Sequence, residues 1–302
     1  MTVARAVLLC LALLGCEVRR ARTPDWVVSA PGGTETAISC VPAWALAPAH
    51  FQALLQGFPP AGRALAVFLE RTRIDPRQET GRVTFYLSRP TPAAGPEVLI
   101  QLGGFRDPGR LQVAIADAFP AAGTLAVDHR DLPLFVLLDQ GSRHFRAVAD
   151  GDGRIWLGDL PALARLGPGR IRAWSGLAEA SAWISGAAAV QGFILPREPA
   201  AGSAAWRLPR GIQALAWGVT PGPTADSLHG FELALAGSRS AILGAVPWVE
   251  DFVAAAQATP GHPAQLPDLL QERRRLGLRW RLTQAQLNVA LGRLELPAVP
   301  CP

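Results

Sequence analysis

The sequence of 302 residues contains no lysine, one tyrosine and one methionine. All of its 29 basic residues are arginine, and Ala, Gly, Pro and Arg are abundant, as in proteins from GC-rich genomes. The arginines raise the isoelectric point to about 9.8, although the net charge is only +5. So small a charge excess does not predict nucleic-acid binding. The absence of lysine also excludes a P-loop nucleotide site, which requires one.

The motifs of common hydrolases and metalloenzymes are also missing. The sequence holds neither GxSxG nor HExxH. The stretch 150–153, DGDG, begins like a calcium loop, but Arg154 and Ile155 stand where such a loop needs an oxygen ligand and a glycine. We interpret it as a hairpin turn. His129 and His144 flank adjacent predicted strands without the further ligands of a metal site. The sequence therefore predicts no metal, no cofactor and no catalytic residue.

The apolar run near the start is too short to cross a membrane. It extends over ten residues, 6–15, whereas a spanning helix needs about 20. A run of this length after a single arginine is typical of a secretory signal peptide. Its end, Leu13-Leu14-Gly15-Cys16, resembles the bacterial lipobox. We predict that residues 1–15 are removed and that Cys16 carries fatty acyl chains such as palmitate. The alternative is an ordinary cleaved leader with a chance cysteine.

Two further features follow from this leader. Glu17, rather than Asp, comes after the cysteine, which by the sorting rule of enteric bacteria predicts an outer-membrane lipoprotein facing the periplasm. Cys10 leaves with the leader and Cys16 is acylated, so Cys40 and Cys301 are the remaining thiols. Because the periplasm is oxidising and chain termini often lie close together, we predict a disulfide between these two cysteines.

The rest of the chain predicts an α+β fold with two related halves. We assign 16–41 to the lipidated cysteine and a tether, 42–169 to the first half and 170–302 to the second half. Both halves show the order helix, strand, strand, helix, strand, and the first strands of the two repeats start at 82 and 211. Hairpin-linked strands are antiparallel. We therefore expect antiparallel sheets with helices packed on one face.

The first half resembles a family of uncharacterised envelope proteins from myxobacteria and planctomycetes. The resemblance rests on Ile74-Asp75-Pro76, on the block 98–111 with GGFRDPGRL, on Asp131-Leu132-Pro133-Leu134-Phe135 without the usual glycine, and on VADGDGRIWLGDLPAL. It covers residues 42–166, and its motifs are caps, turns and strand patterns. It implies a location in the cell envelope, but no activity, cofactor or catalytic residue.

One predicted helix, 173–189, is the candidate binding surface. Its tryptophans, Trp174 and Trp183, are nine residues apart, so about 180° of rotation separates them on a regular helix. A helix that is apolar on both sides is either covered twice or leaves an apolar patch exposed. In the second case one indole contacts a partner or the lipid interface.

Taken together, these features predict a lipid-anchored periplasmic protein with a non-catalytic binding or scaffolding role in the cell envelope. Its partners would be the membrane, through the anchor, and an envelope protein or a lipid. A periplasmic hydrolase with an unrecognised active site is the alternative, and a structural spacer is a third class. A pocket with converging His, Asp and Ser would favour the enzyme.

The lipid anchor can be tested by the mass of the mature protein. Intact-mass measurement of membrane-extracted protein should show a chain that starts at Cys16 and carries a diacyl or triacyl adduct. The matched variant Cys16→Ser should lose both the adduct and the membrane association, because serine has no thiol to form the thioether. A soluble, unmodified wild-type chain that starts at another residue would contradict the prediction.

Overall fold

The structure, a computed structural model, describes residues 23–41, 60–88, 97–127, 130–140, 143–150, 153–166, 175–186, 188–196, 208–223, 227–259 and 266–294. Eight helices and twelve strands make up this described part of the chain. The first half contributes α1 (Asp25–Val28), β1 (Thr34–Cys40), α2 (Ala61–Thr72), α3 (Pro76–Glu79), β2 (Arg82–Ser88), β3 (Val98–Gly103), α4 (Pro108–Ala118), β4 (Ala121–Val127), β5 (Arg130–Gln140), β6 (Arg143–Ala149), β7 (Ile155–Asp159) and α5 (Leu160–Ala164). The second half contributes α6 (Ser175–Ser181), β8 (Val190–Ile194), β9 (Ile212–Thr220), β10 (His229–Gly237), α7 (Arg239–Gln257), β11 (Asp268–Gln271), β12 (Arg275–Leu282) and α8 (Gln284–Arg293).

All the strands belong to one antiparallel sheet in the order β11-β12-β10-β9-β8-β1-β2-β3-β7-β6-β5-β4. The order is symmetric about the central pair of β1 and β8. On one side of this pair lie β2, β3, β7 and β6, and on the other side lie their counterparts β9, β10, β12 and β11. The strands β4 and β5 extend the first side only. The α+β class and the antiparallel pairing predicted from the sequence are confirmed, with both halves in one continuous sheet.

Helices cover both faces of this sheet. We call the two faces the major face and the minor face, because four longer helices, α2, α4, α7 and α8, cover the first and three short helices, α1, α5 and α6, cover the second. Buried side chains of the major face include Phe68, Ile115, Ile242 and Leu287. Those of the minor face include Trp26, Leu163 and Leu177. The predicted packing of helices on one face is therefore wrong, because both faces of the sheet carry apolar side chains that helices bury.

Local sequence signals set the helix ends. The Asp107 carboxylate accepts a hydrogen bond from the backbone N–H of Arg110 at 3.0 Å, and Pro108 occupies the first turn of α4, where it loses no hydrogen bond. Thr283 and Gln286 form a capping box at the start of α8. Each helix therefore begins directly after its capping residue, where the apolar pattern starts. No helix in the described ranges is both long enough and apolar enough to cross a membrane.

Several local predictions were wrong. The segment 16–41, assigned to the tether, contains the helix α1 and, in the stretch TETAISC, the central strand β1. Within the described part of the stretch 173–189, which was predicted to be one helix, the helix ends at Ser181. Strand β8 follows it where the sequence predicted none, because a five-residue run of VQGFI is buried by its neighbours on both sides.

Cys40 lies at the end of β1, inside the core of the major face. It is a free, buried thiol, and its Sγ donates a hydrogen bond to the carbonyl oxygen of Val83 at 3.5 Å. Burial raises the pKa of Cys40 to about 12, although the charge of Arg82 and the hydrogen bond to Val83 act in the opposite direction. The predicted partner, Cys301, lies outside the described residues, so the disulfide stays a prediction.

Thiol labelling tests the state of Cys40. We expect iodoacetamide to leave Cys40 unmodified in the native protein at pH 8, because its side chain is buried. Because of the predicted disulfide with Cys301, alkylation of Cys40 should require both unfolding in urea and a reductant. Alkylation after unfolding without a reductant would contradict the disulfide.

Candidate functional site

A polar cavity opens on the minor face of the first half. Its volume is about 760 Å³, within the range of small-molecule sites. We call it the polar cavity. Its described lining comes from α1, from β2 and β3 and their flanking loop residues, and from the start of β7: Pro24, Asp25, Trp26, Val28, Ser29, Gly81, Arg82, Thr84, Gln101, Gly103, Gly104 and Arg154.

Because successive side chains of a strand point to opposite faces, the polar side chains of β2 share the face on which this cavity lies. In β2 the residues Val83 and Phe85 point into the core of the major face, so Arg82, Thr84 and Tyr86 occupy the minor face. The loop after β3 turns back sharply at Gly104, which has a φ of +70°. A Cβ atom at Gly104 would lie 3.1 Å from the Cα atom of Gly81. A close approach of two glycines therefore forms the floor at one end of the cavity.

Hydrogen bonds fix the polar side chains in place. The Ser39 and Thr84 hydroxyl oxygens are 2.7 Å apart, and Arg82 Nη1 donates to Ser39 Oγ at 3.1 Å. The Tyr86 hydroxyl lies 2.7 Å from the Trp26 carbonyl oxygen and 2.8 Å from Gln101 Oε1. Burial raises the pKa of Tyr86, so its hydroxyl stays protonated and donates. This network ties the helix α1 to the centre of the sheet.

Arg82 is the electrostatic centre of the cavity. Burial lowers the pKa of its guanidinium, but an arginine of this kind remains charged at neutral pH. Within the described parts of the chain, no carboxylate lies within ion-pair distance of Arg82. Its neighbours Cys40 and Tyr86 are neutral, because burial raises the pKa of both. The cavity therefore holds a partly buried positive charge that the described residues do not neutralise.

A second arginine at the cavity is neutralised. Arg154 Nε donates to Asp150 Oδ2 at 2.9 Å, and the backbone N–H of Arg154 donates to Asp150 Oδ1 at the same distance. Trp156 Nε1 reaches the same carboxylate at 3.3 Å. The residues around the DGDG stretch thus close a β-hairpin, as the sequence predicted. The Asp150 carboxylate neutralises Arg154 within it. Of the two arginines that line the cavity, Arg82 supplies the uncompensated charge.

The symmetric sheet provides an internal comparison for this site. In the central strand pair, Ile38 lies opposite Gly192. Counting outward from that pair, Ile38 is opposite Phe85, and Gly192 is opposite Trp217. Phe85 of β2 therefore corresponds to Trp217 of β9. The same counting across the next strands makes β3 equivalent to β10.

The polar residues of the cavity correspond to alanines in the second half. Thr84 pairs with Gln101, and Arg82 pairs with Gly103. The equivalent pairs between β9 and β10 are Ala216 with Ala234 and Ala214 with Ala236, and all four alanines are buried. The equivalent strands of the second half therefore pair with alanine at the positions of Arg82, Thr84 and Gln101.

The second half covers its alanines with the helix α6. Leu177 and Ala180 of α6 pack in one cluster with these alanines. The helix α6 has seven residues, whereas its counterpart α1 has four. The shorter helix packs through Trp26, whose ring stacks on Phe193 at 5.8 Å between centroids and whose carbonyl oxygen lies 2.7 Å from the Tyr86 hydroxyl. The polar cavity lies beside this helix, where Thr84 and Gln101 are buried and Arg82 is half-buried.

The predicted binding residues lie elsewhere. Cys16 and Trp174 are outside the described residues, as is Cys301. Trp183 follows the end of α6, so the helical-wheel argument that separated it from Trp174 does not apply. It is half-buried against Gly277, at which a Cβ atom would approach the Trp183 ring to 2.5 Å. The predicted binding role of this pair stays a prediction.

Arginines surround Trp183. The guanidinium carbons of Arg275 and Arg279 lie 4.9 and 4.6 Å from the centroid of the indole ring. Each of these arginines also pairs with a carboxylate: Arg275 with Glu272 at 2.7 Å and Arg279 with Glu232 at 3.1 Å. The positive charges of Arg275 and Arg279 beside Trp183 are thus partly neutralised. These contacts give the indole a packing role on the minor face.

Histidines and acidic groups form no metal site in the described ranges, where no three of His, Cys, Asp and Glu come together. His144 contacts Asp139 at 3.0 Å on the surface. His229 is fully buried, accepts a hydrogen bond from the backbone N–H of Gly222, and has its pKa lowered by burial. His129 is outside the described residues.

Sequence reasoning missed the polar cavity. The stretch RVTFYLS was assigned to a strand, but three polar residues on its alternate positions, Arg82, Thr84 and Ser88, were not recognised as one face. Tyr86, the single tyrosine of the chain, lies on that same face. An alternation of apolar and polar residues normally predicts a solvent-exposed face. Only the position of β2 near the centre of the sheet makes this face a buried site.

Comparisons with known proteins identify no family: no family model and no curated protein matches the sequence. Among solved structures, crystal form I of TP0453 is matched over 91% of this chain and 98% of its own, at 11% identity and a TM-score of 0.45. MucB in complex with MucA(peri) is matched over 80% of this chain and 99% of its own, at 12% identity and a TM-score of 0.12. Neither similarity supports a transfer of function. The resemblance to myxobacterial and planctomycete envelope proteins stays a prediction.

Proposed function

We propose that this protein is a lipid-anchored binding protein of the cell envelope and that the polar cavity is its ligand site. The observation that carries the proposal is the difference between the two halves of the sheet. At equivalent positions the second half has buried alanines, while the first half has Arg82, Thr84 and Gln101 around an open space. Polar groups that the fold does not need, placed in a cavity of this size, favour a ligand.

The proposed anchor and the cavity lie close together in the chain. Pro24, which lines the cavity, is the eighth residue after Cys16. A fully extended segment of that length reaches about 28 Å. If Cys16 is acylated, the mouth of the cavity stays within that distance of the anchor. A ligand drawn from the envelope would therefore need to travel only a short way.

The chemistry of the lining favours binding over catalysis. Ser29 and Thr84 supply hydroxyl groups, but no histidine is present in the described lining to act as a general base for them. The Thr84 hydroxyl contacts Ser39, and the Ser29 hydroxyl donates to the Asp25 carbonyl oxygen at 2.8 Å. These groups are arranged to orient a ligand by hydrogen bonds. We therefore propose a non-catalytic role.

A side chain added at Gly103 tests the site. A Cβ atom at Gly103 would meet only Arg154 Cγ, at 3.7 Å, which is ordinary van der Waals contact. Gly103→Leu should therefore fill part of the cavity without disturbing β3. We expect mass spectrometry of denatured, detergent-extracted wild-type protein to release a bound small molecule or lipid, and Gly103→Leu to reduce its amount at least fivefold.

The matched control is Gly244→Leu in α7, where a Cβ atom would meet no other atom within 4 Å. It adds the same side chain on the exposed surface of the other half, and it should retain the bound species at the wild-type amount. Equal amounts in Gly103→Leu and in wild type, with both proteins folded by circular dichroism, would show that the cavity is not the site.

A further inference from the structure

We infer that the ligand of the polar cavity carries a phosphate group and that Arg82 binds it. This inference rests on the proposed function, because it names the chemistry of the molecule in the same cavity. Its basis is the partly buried guanidinium of Arg82 together with the hydrogen-bond donors on either side of it.

Charge balance is the first argument. A charged group that leaves water is stabilised only when an opposite charge or several hydrogen bonds replace its hydration. In the described structure Arg82 makes one side-chain hydrogen bond, to Ser39 Oγ, and meets no carboxylate. Asp25 also lines the cavity, but it is exposed to solvent at the start of α1. An anion in the cavity would complete the coordination of Arg82.

The donors around Arg82 fit an anion with several oxygens. Gln101 Oε1 lies 2.8 Å from the Tyr86 hydroxyl, and the Gln101 amide NH₂ lies on the other side of the side chain, with Nε2 3.5 Å from Ser29 Oγ. The amide thus presents N–H donors on the side of α1, in addition to the guanidinium and the hydroxyl of Thr84. A phosphate has more acceptor oxygens than a carboxylate, and arginine matches its geometry with paired N–H groups.

The size and lining of the cavity indicate that the phosphate is part of a larger molecule. A volume of about 760 Å³ exceeds the need of a single inorganic anion. Trp26, Val28 and Pro24 of the α1 region form an apolar part of the same lining. A ligand with a phosphate at one end and apolar groups at the other would contact both parts. Membrane phospholipids and soluble phosphate esters share this phosphate chemistry, so the test separates them.

Calorimetry with short-chain lipids provides the test. The probes are dihexanoyl phosphatidic acid and dihexanoyl phosphatidylcholine, both below their micelle concentration, together with glycerol 3-phosphate and inorganic phosphate. We expect wild-type mature protein to bind dihexanoyl phosphatidic acid at least tenfold more tightly than the zwitterionic lipid. Arg82→Gln should weaken that binding at least tenfold, because it removes the charge and keeps a side chain of similar length.

The matched control is Arg281→Gln, which removes one exposed arginine from the minor face of the other half. It should bind as wild type does. If glycerol 3-phosphate or inorganic phosphate binds as tightly as the lipid and depends equally on Arg82, the phosphate site is upheld and a soluble ester is its source. Unchanged binding in Arg82→Gln, or no binding of any phosphate probe to the wild type, would overturn the inference.

Failure of this inference can be distinguished from failure of the proposed function. Loss of the co-purified species in Gly103→Leu, together with its retention in Arg82→Gln, would leave the cavity as the site but refute the phosphate. A folding defect in Arg82→Gln is also separable. We expect its melting temperature to equal or exceed that of the ligand-free wild type, because the second half carries Ala214 at the equivalent position.

Discussion

The pairing of β1 with β8 at the centre of the sheet is the interaction on which the rest of the structure depends. It joins the two halves edge to edge, and every other strand is placed by counting outward from it. Gly192 of β8 is essential to this pair, since a Cβ atom there would lie 2.5 Å from the indole of Trp217 and 2.6 Å from the carbonyl oxygen of Ala37. A side chain at that position cannot be accommodated without moving the core of the major face.

This central pair also makes the two halves comparable residue by residue. The major face is apolar in both halves, and four helices cover it. The minor face differs: one half packs alanines beneath a two-turn helix, and the other places polar side chains beneath a single turn of helix. Because the fold accommodates both arrangements at equivalent positions, it does not explain why the first half has polar side chains there. This difference is the observation that supports the proposal of the polar cavity as the ligand site.

The sequence predicts the elements whose signals are local and misses those that depend on tertiary pairing. The two strands predicted to start at 82 and 211 have local patterns, and β2 and β9 begin at Arg82 and Ile212. Strands β1 and β8 were missed, because the tertiary pairing that buries them is not local. The polar cavity depends on that same pairing. From the sequence alone, Arg82 is an ordinary surface arginine. Its partial burial follows only from the positions of β1 and β3 on either side of β2.

The most direct test of the central claim is the stability of a variant in which the first half copies the second. Arg82→Ala, Thr84→Ala and Gln101→Ala, combined in one protein, reproduce Ala214, Ala216 and Ala234. Equilibrium unfolding in urea, without ligand, should give a free energy of unfolding within about 2 kcal/mol of wild type, because the fold does not require these polar groups. A loss of more than about 4 kcal/mol would show that they hold the structure together, and it would contradict the account.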